Sequence, residues 1–529
     1  MFNKDLRLLA KAQQCWDGME SFRLERQRNL RYCYGDQWGD FVAVDGHRMR
    51  EDEYIRSQGS EPLKNNLIRR LVKQVLGLYR ADKSHILCEA ERQRQLAKVM
   101  TKALEHNWKV NRSGELNARL LEEFLISGLA VQRKTYGLRN GRTDCWTDIV
   151  SPACFFFDSA AADCRGWDAE MVGEIHDMRF DALASAFATC QQQWTALADI
   201  YSPATYDERL GDMKTQQGMP RMTNLDFFRT ADREMCRVVE VWYRSRRPAF
   251  LCHDRADGTL FRIDAGEKQR LVDEANRRSP NPLDETSRRS LVDMQFTVVD
   301  QWRYAYLSPF GDVLAEGATP YWHGSHPYVF KAYPFVDAEI HSFVADIIDQ
   351  QRYTNRLITL YDWVMRSSAK GVLLVPEESI PEGYSIEDIA DEWARFNGVI
   401  AVKTRNGAVL PQQVSANAVN VGIHELLQTQ LSFMEDISGV TGALQGKATG
   451  ASVSGTLFEQ QTRNATLSQL DLLDTFRSFV LDGAYKDISN IRQFYTTPRA
   501  YASHGNDSPV VYEPQLMRDQ DAFDLRFEV

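Results

Sequence analysis

The chain has 529 residues, 43% of them hydrophobic, and a formal net charge of -10. That length supports a large core divided into roughly two to four structural regions, and the ordinary composition excludes a wholly disordered chain. With 73 acidic against 63 basic residues, tight sequence-specific DNA binding is disfavoured, because such affinity comes mostly from neutralising phosphates.

The first part reads as helical. Apolar residues recur at helical spacing from about Leu6 to Tyr34, within a run rich in Arg and Glu. Leu67, Ile68, Leu71, Val72, Val75, Leu76 and Tyr79 mark one buried helix face, and Leu116, Leu120, Leu121, Phe124, Leu125 and Leu129 another. The pattern then turns to strands. Cys154-Phe155-Phe156-Phe157, the run from Val238 to Tyr243 and the run from Phe296 to Val299 are short, aromatic or β-branched, and bounded by breakers. Residues 192–230 and 265–292 read as polar, irregular surface insertions.

From Ile340 a helix extends to about Lys370, roughly 40 Å long. A compact segment follows: a strand from Gly371 to Val375, a turn around Pro376 and Pro381, a short acidic helix from Ile386 to Phe396, and a strand from Val399 to Val402. Asn406-Gly407 is a hairpin signal, with Val409-Leu410 as the return strand. A second helix spans about Asn417 to Ile437. Between Ser438 and Gly455 lie five glycines and many small residues, which make a loop. A very long helix then runs from about Leu457 to Tyr495, on the order of 60 Å. Helices this long point to an elongated subunit within an assembly. The fold class is α+β.

No apolar run approaches the roughly eighteen residues of a membrane span, and the start of the chain, Met1-Phe2-Asn3-Lys4-Asp5, lacks a signal-peptide apolar region. A cytosolic site of synthesis is expected. Nine cysteines between Cys15 and Cys252, with no CxxC pair, read as free thiols. Catalytic motifs fail on their chemistry. Three residues separate Gly442 from Gly446, and Ala448 follows Lys447 where a phosphate loop needs a hydroxyl. Gly450-Ala451-Ser452-Val453-Ser454 lacks the second glycine and the preceding strand of a hydrolase elbow. His323 and His326, the one close histidine pair, sit among Trp322, Pro327 and Tyr328 and read as structural. Glu387, Asp388, Asp391 and Glu392 read as a solvated helix face, without the glycine-supported spacing of a metal loop. No enzyme activity and no cofactor are expected.

The order of elements, with several local strings, resembles the portal (head-to-tail connector) proteins of tailed bacteriophages, podovirus type. Arg31-Tyr32-Cys33-Tyr34-Gly35-Asp36-Gln37-Trp38 is similar to their N-terminal Y-x-G-D-Q-W signature. Asn65-Asn66-Leu67-Ile68, leading into Val75-Leu76-Gly77 and Arg80, is similar to the helix after it. Val150-Ser151-Pro152 with Phe156-Phe157-Asp158 is similar to a V-x-P…D strand, Asp349 to Arg356 to the polar start of the first stem helix, and Ser438-Gly439-Val440 to the end of the second.

The resemblance covers about Arg26 to Tyr495 and implies a portal fold with a β-rich and helical wing, two stem helices flanking a small α/β clip, a glycine-rich tunnel loop and a long helix. The expected divisions are wing 1–340, stem helix 341–369, clip 370–415, stem helix 416–438, tunnel loop 439–455, long wing helix 456–497 and a short crown-like end 498–529. The C-terminus departs from the family pattern in carrying no long barrel-forming helix.

The implied function is a channel at one capsid vertex of the virion for DNA packaging and ejection, assembled in the host cytoplasm as a ring of about twelve subunits. The implied partners are the terminase large subunit, then head–tail adaptor or tail proteins, the major capsid protein, and double-stranded DNA passing without sequence preference. No membrane partner is expected. Lys447, the one charged residue of the loop, with Gln445, Thr449 and Ser452, is the expected DNA contact. Glu387, Asp388, Asp391 and Glu392 are the expected clip docking residues, in a segment with seven acids against three bases between Gly371 and Ser415. The alternatives are another head–tail structural protein or, against the failed motifs, a packaging-motor enzyme.

Overall fold

The computed structural model describes residues 2–44, 46–81, 85–89, 94–202, 225–230, 232, 234–254, 258–278, 292–370, 372–376, 379–381, 383–394, 400, 402–403, 412–414, 422–440, 455–501, 509–518 and 523–528. The expected hairpin at Asn406-Gly407 with Val409-Leu410 lies outside these residues. Two compact units divide the chain: residues 1–30, 72–345 and 466–529 form the first, and residues 31–71 and 346–465 the second.

In chain order the helices are α1 (Leu6–Gly18), α2 (Glu20–Tyr34), α3 (Glu51–Ser57), α4 (Leu67–Ala81), α5 (Arg94–Asn111), α6 (Ser113–Ser127), α7 (Phe180–Phe187) and α8 (Gln191–Ile200). They continue with α9 (Lys268–Arg278), α10 (Phe343–Lys370), α11 (Ile386–Ala394), α12 (Ile423–Ser438), α13 (Gly455–Phe494) and α14 (Pro514–Arg518). The helical run read from Leu6 to Tyr34 is therefore two helices, broken at Met19. Parts of the two segments read as irregular are ordered instead: α8 lies in one and buries Leu197, and α9 lies in the other. Their polar composition hides a helix that needs only one apolar anchor, or a solvated one.

The first unit is built on two antiparallel sheets. The larger joins β6 (Phe155–Phe157), β7 (Met171–Arg179), β8 (Met235–Asp254), β10 (Val292–Leu307) and β11 (Val313–Ala318), with β9 (Leu260–Asp264) paired to β8. Strands β8 and β10 pair from Val292↔Asp254 to Leu307↔Val239. The smaller sheet has the order β12 (Tyr328–Ala332), β4 (Leu129–Arg139), β5 (Arg142–Ile149). Asn140 and Gly141, with φ of 50° and 74°, make the two-residue turn between β4 and β5. A turn of this kind needs positive φ at both residues, which the Asn-Gly pair adopts cheaply.

Leu9, Ala12, Cys15 and Trp16 repeat at helical spacing on α1 and, with Met19 just past its end, bury that face against Phe155, Phe156 and Phe157. Trp16 meets Phe156 edge-on at 6.1 Å. A second aromatic contact joins distant parts of the chain: Phe476 on α13 lies 5.9 Å from Phe124 on α6 and 5.4 Å from Tyr79 on α4. Gly128 ends α6 at φ 78°, its N–H donating to the Phe124 carbonyl at 2.8 Å, and a Cβ there would collide with the His341 carbonyl. Residues near the C-terminal end fold back into this unit. Strand β19 (Asp524–Glu528) pairs with β3 (His85–Glu89), and β17 (Arg499–Tyr501) with β18 (Val510–Tyr512).

The second unit contains α3, α10 from Asp346, α11 and α12, the hairpin of β1 (Phe41–Val44) with β2 (His47–Arg50), and the short pair β15 (Val372–Leu374) with β16 (Gln412–Val414). The proportions are mixed helix and strand, as an α+β chain requires.

Candidate functional site

Three of the strings that carried the resemblance, at 31–38, 65–68 and 349–356, meet in the second unit as one polar network. Gly35, at φ 102°, ends α2 with its N–H on the Arg31 carbonyl at 3.0 Å. Tyr32 is fully buried, and its hydroxyl donates to Asp40 at 2.9 Å. Gln37 donates to the Tyr32 carbonyl at 3.0 Å and accepts from Asn355 of α10 at 2.8 Å. Trp38 donates its indole N–H to the Leu63 carbonyl at 3.1 Å. Gln351 of α10 accepts from the Leu67 N–H at 3.0 Å and donates to the Asn65 carbonyl at 2.7 Å. Buried Glu51 accepts from Arg352 at 3.3 Å and from Arg356 Nε at 3.0 Å. Each of the paired groups would be costly alone in this setting; paired with one another they fix one geometry. The polar start of α10 is thus a packing device, with Gln351, Thr354 and Asn355 all buried.

Between α10 and α12 the chain forms the β15–β16 pair, in register Leu373↔Gln413, and α11. Ser385 caps α11: the Asp388 N–H donates to the Ser385 hydroxyl at 3.1 Å, while the Ser385 N–H and hydroxyl both donate to the Asp388 carboxylate at 2.8 Å. This reciprocal cap satisfies donors that a helix start leaves open. The Ser385 backbone N–H, then its hydroxyl, hold the Asp388 carboxyl below the usual range.

Of the four expected docking residues, Glu387, Asp388 and Asp391 are exposed and Glu392 is half-buried. Asp388 is committed to the cap, so Glu387 and Asp391 are the carboxylates left on the open face. Beside them Tyr384 and Ile386 are also exposed, Ile386 at 69%. Sequence reasoning missed these two; the signal was an aromatic and an aliphatic residue directly before an acidic run. Acids flanked by apolar side chains make a surface suited to a basic, amphipathic partner. Gln445, Lys447, Thr449 and Ser452 lie outside the described residues; α12 ends at Ser438, with Gly439 at φ 65°, and α13 begins at Gly455.

Two further clusters of titratable groups among the described residues are internal locks. In the first unit His176 sits 2.7 Å from Glu240 and 3.7 Å from Glu174, a set of types that can bind metal. Arg133 already lies there, 3.2 Å from Glu174 and 3.5 Å from Glu240, while Tyr328 donates to Glu174 at 3.0 Å and Trp242 to Glu240 at 2.6 Å. The guanidinium supplies the charge that a cation would bring. Burial pushes the Glu174 carboxyl up. Burial opposes charge on His176 and Glu240 too, but their mutual hydrogen bond together with the neighbouring charges outweighs it, the Glu174 and Glu240 carboxylates raising His176 and the His176 and Arg133 cations lowering Glu240. His323 lies flat against Tyr321 at 5.0 Å and His326 edge-on to Trp302 at 4.7 Å. Burial pulls His323 down to about 3 and His326 well down, so both are neutral packing groups.

None of the nine cysteines is in a disulfide. Among the described residues no helix is long and apolar enough to cross a membrane. A family model described as phage P22-like portal protein matches residues 9–514. No curated protein matches the chain.

Proposed function

The chain belongs to the phage P22-like portal protein family, a structural family, and from that membership we propose that it is the subunit of a ring of about twelve copies. The ring forms a channel at one capsid vertex of the virion through which double-stranded DNA is packaged and ejected. The observation that carries the proposal is the family match over residues 9–514. Side chains left open on single subunits support assembly: Tyr353, Leu360, Tyr361, Trp363 and Met365 on α10, and Leu426, Phe433 and Ile437 on α12, are exposed. Large apolar residues of this kind are covered in a ring by lateral, head-to-tail contacts.

In this reading α10 and α12 are stem helices, and the β15–β16 pair with α11 is the clip. Residues 1–340 are the wing, α13 the long wing helix, residues 439–455 the tunnel loop and residues 498–529 a short crown-like end. The open face of α11 docks first the terminase large subunit and then an adaptor or tail protein, since one surface cannot hold both at once. The major capsid protein surrounds the ring. The proposed loop contact with DNA through Lys447, helped by Gln445, Thr449 and Ser452, rests on the sequence alone.

Electron microscopy and mass measurement of the purified protein test the ring, with closed rings expected; a chain that stays monomeric over a wide range of concentration and salt would overturn it. Reversing charge at Glu387 and Asp391, while sparing the Asp388 cap, is expected to leave rings intact and weaken capture of the motor and adaptor. Loss of the rings themselves would make this face an assembly element.

A further inference from the structure

Helix α4 carries a face that its own packing does not explain. Ile68, Leu71, Val72 and Val75 are buried at helical spacing. Arg69 turns inward, its guanidinium 4.5 Å over the Tyr34 ring and 3.8 Å from the Cys33 sulfur. On the opposite side Arg70, Lys73, Gly77 and Arg80 are all exposed, and their spacing places them along one stripe. From Pro62 to Ala81 the chain holds Lys64, Arg69, Arg70, Lys73 and Arg80 and not one acid. In a chain of net charge -10 that is a local reversal of sign.

Gly77 is the second observation. It lies inside the helix, where glycine is among the poorest formers, and its φ is not in the left-handed region. A Cβ built on it meets nothing within 4 Å. Neither backbone geometry nor internal packing therefore requires glycine there. What glycine gives at an exposed mid-helix position is a flat patch of backbone that another molecule can approach closely. The nearest stripe neighbours of that patch are Lys73 and Arg80, so the approaching molecule is anionic; a packed apolar helix would leave both charges badly placed.

We propose that the stripe of Arg70, Lys73 and Arg80 around Gly77 is a contact for the phosphate backbone of double-stranded DNA. The proposal rests on the portal reading for the identity of the polyanion and adds the residues that touch it. From Arg70 to Arg80 the helix rises about 15 Å, comparable with the roughly 12 Å width of the major groove, so the ends of the stripe reach phosphates on both strands. A few cations per subunit give contact that is salt-sensitive, independent of sequence and weak enough for DNA to slide.

The test uses the purified full-length chain and a short mixed-sequence DNA duplex, with affinity measured against salt concentration. Mass measurement on each variant reports assembly separately. Neutralising Arg70, Lys73 and Arg80 to Gln one at a time is expected to flatten the slope of log affinity against log salt by about 0.9 each for every subunit touching the duplex, or about 2.7 per such subunit together. Gly77→Leu keeps a good helix former, raises the melting temperature and lowers duplex affinity several-fold. Unchanged slopes, or Gly77→Leu binding DNA as well as the parent, would overturn the proposal. So would substitutions that dissolve the ring while subunits bind DNA unchanged, since the stripe would then serve an acidic face of a second copy. If the parent chain forms no rings, the portal reading fails, and the salt slopes still decide the DNA contact.

Discussion

Lys134 and Asp487 form an ion pair deep in the first unit, and removing one partner is expected to do far more damage than removing both. The ammonium lies 2.7 Å from the carboxylate, with the side chains 5% and 2% exposed. Lys134 also donates to Thr147 at 2.9 Å, and Trp108 donates to the same Asp487 oxygen at 3.4 Å. At an effective dielectric of about 20, charges this close attract by about 6 kcal/mol. Desolvating both ions costs several kcal/mol each, so the net worth of the pair is small. Burial nevertheless pushes the Asp487 carboxyl up, with Lys134 pulling against it.

Lys134→Met leaves the carboxylate buried with only the indole N–H, at a cost of about 3–5 kcal/mol. The carboxyl escapes part of that cost by taking a proton. Its folded pKa then rises further above the unfolded value, so the penalty of Lys134→Met grows as pH rises from about 4 and shrinks on acidification. Lys134→Met with Asp487→Leu is expected to lie within about 1 kcal/mol of the parent or to exceed it. Urea unfolding would supply the energies, and hydrogen exchange in β4 and α13 would show that the effect is local. A coupling below about 1 kcal/mol in this double-mutant cycle would refute the account of the pair as two mutually compensating charges.

Three further outcomes can be checked on the same protein. His323 and His326 have folded pKa values below the ordinary 6.5, so their contribution is complete above that pH and declines as pH falls through it; His323→Phe should make the acid side of a stability–pH curve shallower. His176, raised by its bond to Glu240 against the effect of burial, has the opposite sign: its contribution is lost as pH climbs above 6.5, and His176→Gln should remove that decline. Gly128→Ala forces an L side chain into φ 78° against the His341 carbonyl and is expected to cost more than about 2 kcal/mol in urea unfolding. A smaller loss would mean that the turn after α6 relaxes easily.

Periodicity made the buried faces legible. Most of the apolar positions read for α4 and α6 are buried, because a 3.6-residue repeat is a direct record of one-sided burial, although Leu129, read with α6, begins β4. Where burial is slight the record fades, and α8 and α9 passed for irregular surface. Register went unread: the Asn140-Gly141 dipeptide that sets the β4–β5 pairing was passed over, and nothing local announces that β19 pairs with β3, over four hundred residues earlier. The string from Tyr32 to Trp38 could be matched as a pattern, yet its reason lies in Gln351 and Asn355, whose meeting with it is a tertiary fact. On α11 the charges were legible and their division of labour was not. A cap and an open carboxylate look alike until Ser385 is placed. The histidines and Glu174, His176 and Glu240 show the converse, with chemistry-bearing residue types drawn into packing.

The Phe124–Phe476 contact also sets a timetable for biosynthesis. The ribosome delivers Phe476 about 350 residues after Phe124, which at common elongation speeds is roughly 20–70 s later. During that interval the first unit lacks α13, and the α6 surface that Phe476 will cover stays open to solvent and to neighbouring nascent chains. Residues 346–465 emerge before that gap closes, so the interrupted unit finishes last. Expression at lower temperature, or with more chaperone to shelter the waiting surface, should therefore raise the yield of native protein by protecting an intermediate, with no change in the stability of the finished fold.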